Sequence, residues 1–355
     1  MTLLDLPSTR AEAWRWADLG ALSAAAALAP VAAPEHAWLD LPGDRLLFRD
    51  GVLDEAASTV HHATFGDLPA GDHPLGRHAK GTGWSLRVAA DAGTAVVQIV
   101  HVATGAENHL PAAIELADDA VAQVVESFVG AGWSNRATHI RLGRAARLQR
   151  SVRLLQAAGF VSLREEATLA QGASLVSVFL GAGAAGTRID GQVTVGEGGY
   201  AEVGGALLCR DEQRQECAVR VHHAEPNGQS HQLWRAVAAD RSQASLAAAV
   251  EVARHAQKTD GEQSLRGLLL HRTATVNLKP ELEIFADDVK CAHGATVGEL
   301  DSRALFYMQS RGIPHARAQA LLTRAFVADA VGRIGDETVR AAFEADADAW
   351  LEAAL

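Results

Sequence analysis

Cysteine is nearly absent from this chain. Three residues, Cys209, Cys217 and Cys291, stand among 355, too few for a disulfide framework and in keeping with a reducing compartment. Aromatic residues are scarce too, at 5 % of a chain that is 48 % hydrophobic. A core must therefore be assembled mostly from Ala, Val and Leu, which suits stacked layers better than one large globular centre. No run of about 18 or more uncharged apolar residues occurs, so no membrane span is expected. Met1-Thr2-Leu3-Leu4-Asp5 lacks the basic and apolar regions of a signal peptide, and the expectation is a cytoplasmic protein. Positive charge is in deficit: 32 Lys and Arg face 43 Asp and Glu, a net of −11. Nucleic acid and anionic membranes both call for a basic surface, and neither is expected as a partner. The phosphate-cradling pattern G-x-x-x-x-G-K-[ST] is missing, so the chain carries no P-loop of its own.

What is present falls into three textures, and a chain of this length has room for two or three domains. Residues 1–85 read as a helical and mixed unit. Thr9-Arg10-Ala11-Glu12 fits a capping box opening a helix with Trp14, Leu19 and Leu22, and residues 30–85 carry turn signals such as Pro42-Gly43-Asp44. From about residue 86 to 300, short alternating segments recur, among them 95–101, 120–129, 174–180, 217–221 and 245–252. Cys217, Val219 and Val221 share one face, as do Leu246, Ala248, Val250 and Val252. Ten glycines lie between Gly172 and Gly205, and no helical period interrupts, which argues against βαβ units. Many short strands with tight glycine turns mean a sandwich, a barrel or a parallel β-helix. The small-residue core favours the β-helix, with a sandwich left open. Residues 301–355 turn helical: Ala304, Leu305, Met308 and Ile313 form one stripe, Pro314 suits the first position of a second helix, and Phe343, Ala347, Trp350 and Leu351 line a third.

Three motifs have chemical potential. Gly181-Ala182-Gly183-Ala184-Ala185-Gly186 matches G-x-G-x-x-G, but a strand pattern follows where a dinucleotide site needs a helix, so turns of a solenoid explain it. His222, His223 and His231 cluster without a recognisable ligand spacing. Asp288-Val289-Lys290-Cys291-Ala292-His293-Gly294 is the most informative: on a strand, Cys291 and His293 share a face. Thiolate and imidazole both bind iron, zinc and copper, yet two ligands make half a site, so a partner chain or a bound cluster would supply the rest. A buried thiol and a hydrogen-bonded histidine is the competing explanation.

Gln257-Lys258-Thr259-Asp260, Leu268-Leu269-Leu270, the run from Val276 to Gly298 and Leu305-Phe306-Tyr307-Met308-Gln309-Ser310-Arg311-Gly312-Ile313 closely resemble the SufB/SufD family of iron–sulfur cluster assembly proteins. Glu12-Ala13-Trp14-Arg15-Trp16 is similar to the start of the SufD branch. His293-Gly294 after Cys291 and the lack of a cysteine-rich segment point to that branch over SufB. The resemblance implies a mainly β fold, a right-handed parallel β-helix core flanked by N-terminal and C-terminal helical domains. It implies a non-catalytic scaffold subunit of a SufBCD-type complex, paired with SufB through the end of the β-helix, with ATP hydrolysis in the partner SufC. It implies that His293, with Cys291 beside it, faces a nascent iron–sulfur cluster or iron at the SufB interface, no cofactor being held tightly by the isolated chain. It gives Leu305, Phe306, Tyr307, Arg311, Gly312 and Ile313 of the C-terminal helices to SufC. Homodimerisation of the isolated chain is left open. Two other classes compete: a polysaccharide-cleaving β-helix enzyme, which is usually secreted, and a structural zinc protein using His222, His223 and His231.

Overall fold

The structure, a computed structural model, describes residues 5–354; Met1–Leu4, part of the segment read for a signal peptide, lie outside them. Seventeen strands join into one sheet system. Four come early: β1 (Asp44–Arg49), β2 (Val52–Leu53), β3 (Ala63–Leu68) and β4 (Gly81–Val88). Two long strands follow, β5 (Thr94–Leu116) and β6 (Val121–Leu142). Then come β7 (Arg147–Leu154), β8 (Ala158–Leu169), β9 (Ser174–Gly181), β10 (Gly186–Val195), β11 (Tyr200–Cys209), β12 (Arg214–His223), β13 (Gln229–Ala238), β14 (Gln243–Val252), β15 (Asp260–Leu269), β16 (Thr275–Ile284) and β17 (Lys290–Glu299). From β7 onward each strand lies parallel to the one two places along, so odd strands form one sheet and even strands another. This is a parallel β-solenoid with two strands per coil and no sandwich. β5 and β6 each run through both sheets, with a register shift between Thr104 and Glu107.

One edge of the coil is set by backbone conformation. Asp119, Ala145, Gly172, Gly198, Asn227 and Lys258 all adopt left-handed φ between 54° and 66°. Each donates its N–H to the carbonyl just before the corresponding residue one coil on: Arg144, Gln171, Glu197, Pro226, Gln257 and Asp288. Glycine, asparagine and aspartate tolerate this region, which is why turn residues mark the coil in the sequence.

Inside, equivalent residues stack in columns. Cys217, Val219, Val221 and His223 of β12 point in, as do Leu246, Ala248, Val250 and Val252 of β14 in register beside them. Phe179, Gly205 and Trp234 occupy one column. Gly205 is needed there: a Cβ would stand 2.0 Å from the Phe179 carbonyl oxygen, its φ is +152°, and the rings above and below stack at 5.9 Å. Towards the N-terminal end the lumen holds charge. Arg150 is fully buried between Glu126, at 2.7 Å, and Glu165, and His101 Nε2 lies 3.0 Å from Glu126.

The N-terminal region departs from expectation. Thr9 caps no long helix; Glu12–Trp14 is a single 3₁₀ turn, and α1 (Leu19–Ala26) starts later, capped by the Asp18 carboxylate accepting from the Ala21 N–H at 2.9 Å. An acidic side chain next to the apolar run makes the better cap. Trp14 instead packs flat over the Arg188 guanidinium at 4.2 Å. The segment read as mixed supplies strands that extend the solenoid, β1 lying parallel to the first half of β5 and β4 to the second.

At the other end, α2 (Ser302–Ser310), α3 (His315–Val331) and α4 (Glu337–Ala354) follow β17. Pro314 is the residue before α3, not within it. Phe343, Ala347, Trp350 and Leu351 of α4 are buried as the period predicts, packed with Val327 and Val331 on the outer face of the odd-strand sheet against Val178, Leu208 and Val237. α3 and α4 thus cover a flank of the solenoid and leave its end open.

Two buried histidines, His101 and His223, and the half-buried His109 couple this fold to pH. Burial lowers His101, His109 and His223 from 6.5 to about 4, helped by Arg136 near the first, His78 near the second and His222 near the third. A group depressed in the folded state binds its proton more readily when unfolded, so the neutral rings contribute full stability above about pH 6.5 and lose it as pH falls towards 4. Melting temperature should therefore decline steadily across that window, before the carboxylates titrate, and a flat profile from pH 7 to 4.5 would contradict the assignment.

Candidate functional site

The last coil has no successor. β16 pairs only with β14 and β17 only with β15, so each presents a free edge. The lumen ends uncapped, with Ile284, Phe285 and Val297 40 %, 57 % and 45 % exposed. A long free edge beside exposed apolar side chains is the kind of surface to which further strands can add.

Cys291 and His293 sit on this edge. Cys291 is in register with Gly261 and His293 with Gln263, and the buried members of β15 show that this face points into the lumen. The two side chains share a face as their spacing requires, but not an environment. Cys291 is half-buried and packs on the core. Gly261 lies directly beneath it, and a Cβ there would be in ordinary contact with the Cys291 sulfur, 3.4 Å away. Burial raises the thiol above its usual range; the Gly261 N–H opposes this and the Asp260 charge adds to it. His293 is exposed, and an open cavity of about 300 Å³ at this edge is lined mostly by the outward-facing Glu262, Ser264, Arg266, Ala292, Gly294 and Thr296. The carboxylates upstream do not join them, because Asp288 is held at the turn by Lys258.

The histidine cluster does not converge. His222 points outward 3.4 Å from Glu251, His231 points outward from the other sheet 3.6 Å from Glu262, and His223 points inward with Nε2 2.8 Å from Ser230 Oγ. Among the described residues no three His, Cys, Asp or Glu side chains are grouped to hold a metal ion, so the three-histidine zinc site is overturned. The G-x-G-x-x-G stretch is the link from β9 to β10, with a strand after it as expected. A cavity of about 420 Å³ lies outside the even-strand sheet beneath Glu12–Trp16. Most of its charges are paired, Arg164 with Asp190, Lys279 with Glu12 and Arg220 with Glu283, while Arg15 also lines it.

On α2, Phe306 and Tyr307 are 72 % and 60 % exposed, and the Arg311 guanidinium lies 5.3 Å over the Tyr307 ring. Gly312, at φ +84°, turns the chain so that the Ile313 N–H reaches the Met308 carbonyl. Leu305 and Ile313 are half-buried. The six residues fall within one helix and its C-terminal turn, and the aromatic pair with Arg311 is their outward part.

A family described as "SUF system FeS cluster assembly, SufBD core domain" matches residues 98–326, which takes in the solenoid from β5 to β17 and runs into α3. The chain belongs to this SufBD family. It is similar to the iron–sulfur cluster assembly protein SufD of Escherichia coli, 43 % identical over 111 residues that make up 31 % of this chain and 26 % of that protein. The chloroplastic protein ABCI7 of Arabidopsis thaliana is 39 % identical over 134 residues, 38 % of this chain and 28 % of that one. SufD of Bacillus subtilis is 30 % identical over 145 residues, 41 % and 33 % of the two chains. The matched stretches thus span about a quarter to a third of these relatives. The SufBD core contains Cys291, His293 and the α2 residues. One neighbour escaped the sequence reading: Gln263, which sits one coil beneath His293. The turn residues recur at 26 to 31 residues, so no single coil length counted from the sequence would have aligned the pair, which are 30 residues apart.

The three thiols should separate in a reactivity assay. Cys209 and Cys217 are buried, and burial raises both well above the usual thiol range. A neutral-pH titration of the native chain with a disulfide reagent should modify Cys291 alone, more slowly than a free thiol, and all three only in denaturant. Fast reaction of two or more thiols in the native chain would show that the lumen is open to solvent.

Proposed function

We propose that this chain is a non-catalytic scaffold subunit of a SufBCD-type iron–sulfur assembly complex, with His293 contributing at the interface with a SufB partner. The observation that carries the reading is the unfinished coil: a free parallel edge, an uncapped lumen and an exposed imidazole on the lumen-facing side of the terminal strand. A partner solenoid adding its own terminal coil would satisfy the edge N–H and C=O groups by strand addition and bury Ile284, Phe285 and Val297. It would also set its ligands against His293. The iron or nascent cluster is cargo in this scheme, held between two proteins, and the isolated chain retains none tightly.

The same logic supports the other expectations. The exposed aromatic pair on α2 suits docking of a SufC-type ATPase, which would supply the ATP hydrolysis. An unfilled edge also permits two copies of this chain to pair when SufB is missing. Parallel strands joined by crossovers are right-handed in about 98 % of cases, which favours a right-handed coil. No described helix is long and apolar enough to cross a membrane, in keeping with assembly in the cytoplasm.

His293→Ala is expected to abolish cluster assembly in cells while the complex still co-purifies, because an exposed side chain carries no packing. Cys291→Ala should reduce it less, since the half-buried thiol is held in its protonated form. Normal assembly by the His293→Ala protein would end the proposal for that residue. Phe306→Ala with Tyr307→Ala should weaken capture of the SufC-type partner by at least about tenfold, the scale of an aromatic anchor, and leave SufB pairing intact; unchanged capture would move that contact elsewhere.

A further inference from the structure

The lumen column that ends in His293 is not apolar. In register it runs Val203, Gln232, Gln263, His293. Gln232 and Gln263 are each 1 % exposed. Each reaches across the lumen and donates Nε2–H to a backbone carbonyl of the even sheet: Gln232 to Ala249 at 2.9 Å and Gln263 to Glu281 at 3.1 Å. Those bonds fix which end of each amide is oxygen. In both residues Oε1 is left buried without a partner, a costly state for a carbonyl. The pose repeats in two coils, so the fold imposes it. The coils differ in what lies above. Gln232 is covered by Gln263, whereas Gln263 is covered only by the terminal strand. His293 itself makes no hydrogen bond among the described residues, and its exposure leaves the ring free to turn about the Cα–Cβ bond.

A metal-binding imidazole donates one lone pair to the metal and carries its proton on the other nitrogen. Ligand histidines nearly always direct that N–H to a carbonyl or carboxylate, which fixes the tautomer and makes the coordinating nitrogen more basic. We propose that Gln263 is the positioning residue for His293, its buried Oε1 accepting the imidazole N–H and leaving the opposite nitrogen aimed out of the lumen. An amide suits the task better than a carboxylate, because it accepts the bond without placing a second charge in the lumen. The tautomer assignment stands on this chain alone; its use for iron rests on the role proposed above for His293.

The test is the His293 tautomer, read from nitrogen chemical shifts in the full chain labelled with ¹⁵N-histidine. Wild type is expected to hold one tautomer, Gln263→Met to relax to the mixture of a free imidazole, and Gln263→Glu, which keeps an acceptor, to restore a single form. Circular dichroism and melting confirm that each variant is folded. An unchanged tautomer ratio in a folded Gln263→Met protein would overturn the inference. Ferrous iron titrated into the complex with SufB- and SufC-type partners supplies the second readout. Gln263→Met should weaken binding 10- to 100-fold, the usual effect of losing such a partner, and Gln263→Glu should recover it. Iron binding insensitive to His293→Ala, with the tautomer still dependent on residue 263, would discard the iron role of His293 and leave the positioning role standing. Iron binding lost in His293→Ala but intact in Gln263→Met, with no tautomer change, would do the reverse.

Discussion

Every coil of this molecule is stabilised by the next. A parallel strand cannot satisfy its own backbone groups, so N–H and C=O are paired only where another coil lies alongside. The ladder of left-handed residues from Asp119 to Lys258 repeats the same dependence at the turns, each N–H reaching the carbonyl of the coil that follows. Such a structure has no natural end. At the N-terminal side β1 and β4 close onto β5; at the C-terminal side the last rung, Lys258 to Asp288, is followed by β17 with nothing beyond it. The functional surface is therefore the place where the repeating interaction stops.

The lumen imposes the second constraint. Stacked columns leave no room for a residue that ignores its neighbours one coil away. Gly205 is small because Phe179 and Trp234 meet across it. Charge is admitted where it is paired or, as for buried Arg136, hydrogen-bonded to His101, Asn108 and Asn135. Burial disfavours ionised Glu126, yet Arg150 and His101 outweigh it and hold the carboxylate at about 2. Such a cluster contributes less net stability than its contacts suggest, because desolvation opposes the Coulomb gain, but removing one partner would leave an uncompensated charge inside the coil.

These constraints explain which features were legible in advance. Alternation in 217–221 and 245–252 marks inward and outward faces locally, so the strands and much of the core could be read directly. The helical period of Phe343, Ala347, Trp350 and Leu351 is local too. The turn residues Gly172, Gly198 and Asn227 declared themselves by type. What escaped was everything decided one coil away. Nothing near β1 announces that it lies beside β5, and nothing near Gln263 announces that it lies under His293. The start of α1 failed for a smaller reason: two capping candidates competed, and Asp18, adjacent to the apolar run, prevailed over Thr9. Cys291 and His293 were legible as a pair, because a period of two sets their shared face, but their different exposure depends on the coil below and was not.

The two free edges are not equivalent, and their chemistry indicates which one is built to pair. β16 reads Thr-Val-Asn-Leu-Lys-Pro-Glu-Leu-Glu-Ile: Pro280 lacks an N–H to donate, and Lys279, Glu281 and Glu283 place charge along its outer face. Proline and charge are the usual means by which a sheet edge is kept from adding strands. β17 carries charge only at its ends, Lys290 and Glu299, and between them runs Cys-Ala-His-Gly-Ala-Thr-Val-Gly. Gly294 has no atom outside its own chain neighbours within 4 Å of where a side chain would begin, and Gly298 is as open. A strand so bare would be an aggregation hazard if it were meant to remain free. An edge that is uncharged, small and flanked by exposed Val297 is better matched to close backbone approach by a partner. The protected edge and the permissive edge belong to the same coil, so the proposed pairing would be directed to the odd-strand sheet, where His293 is.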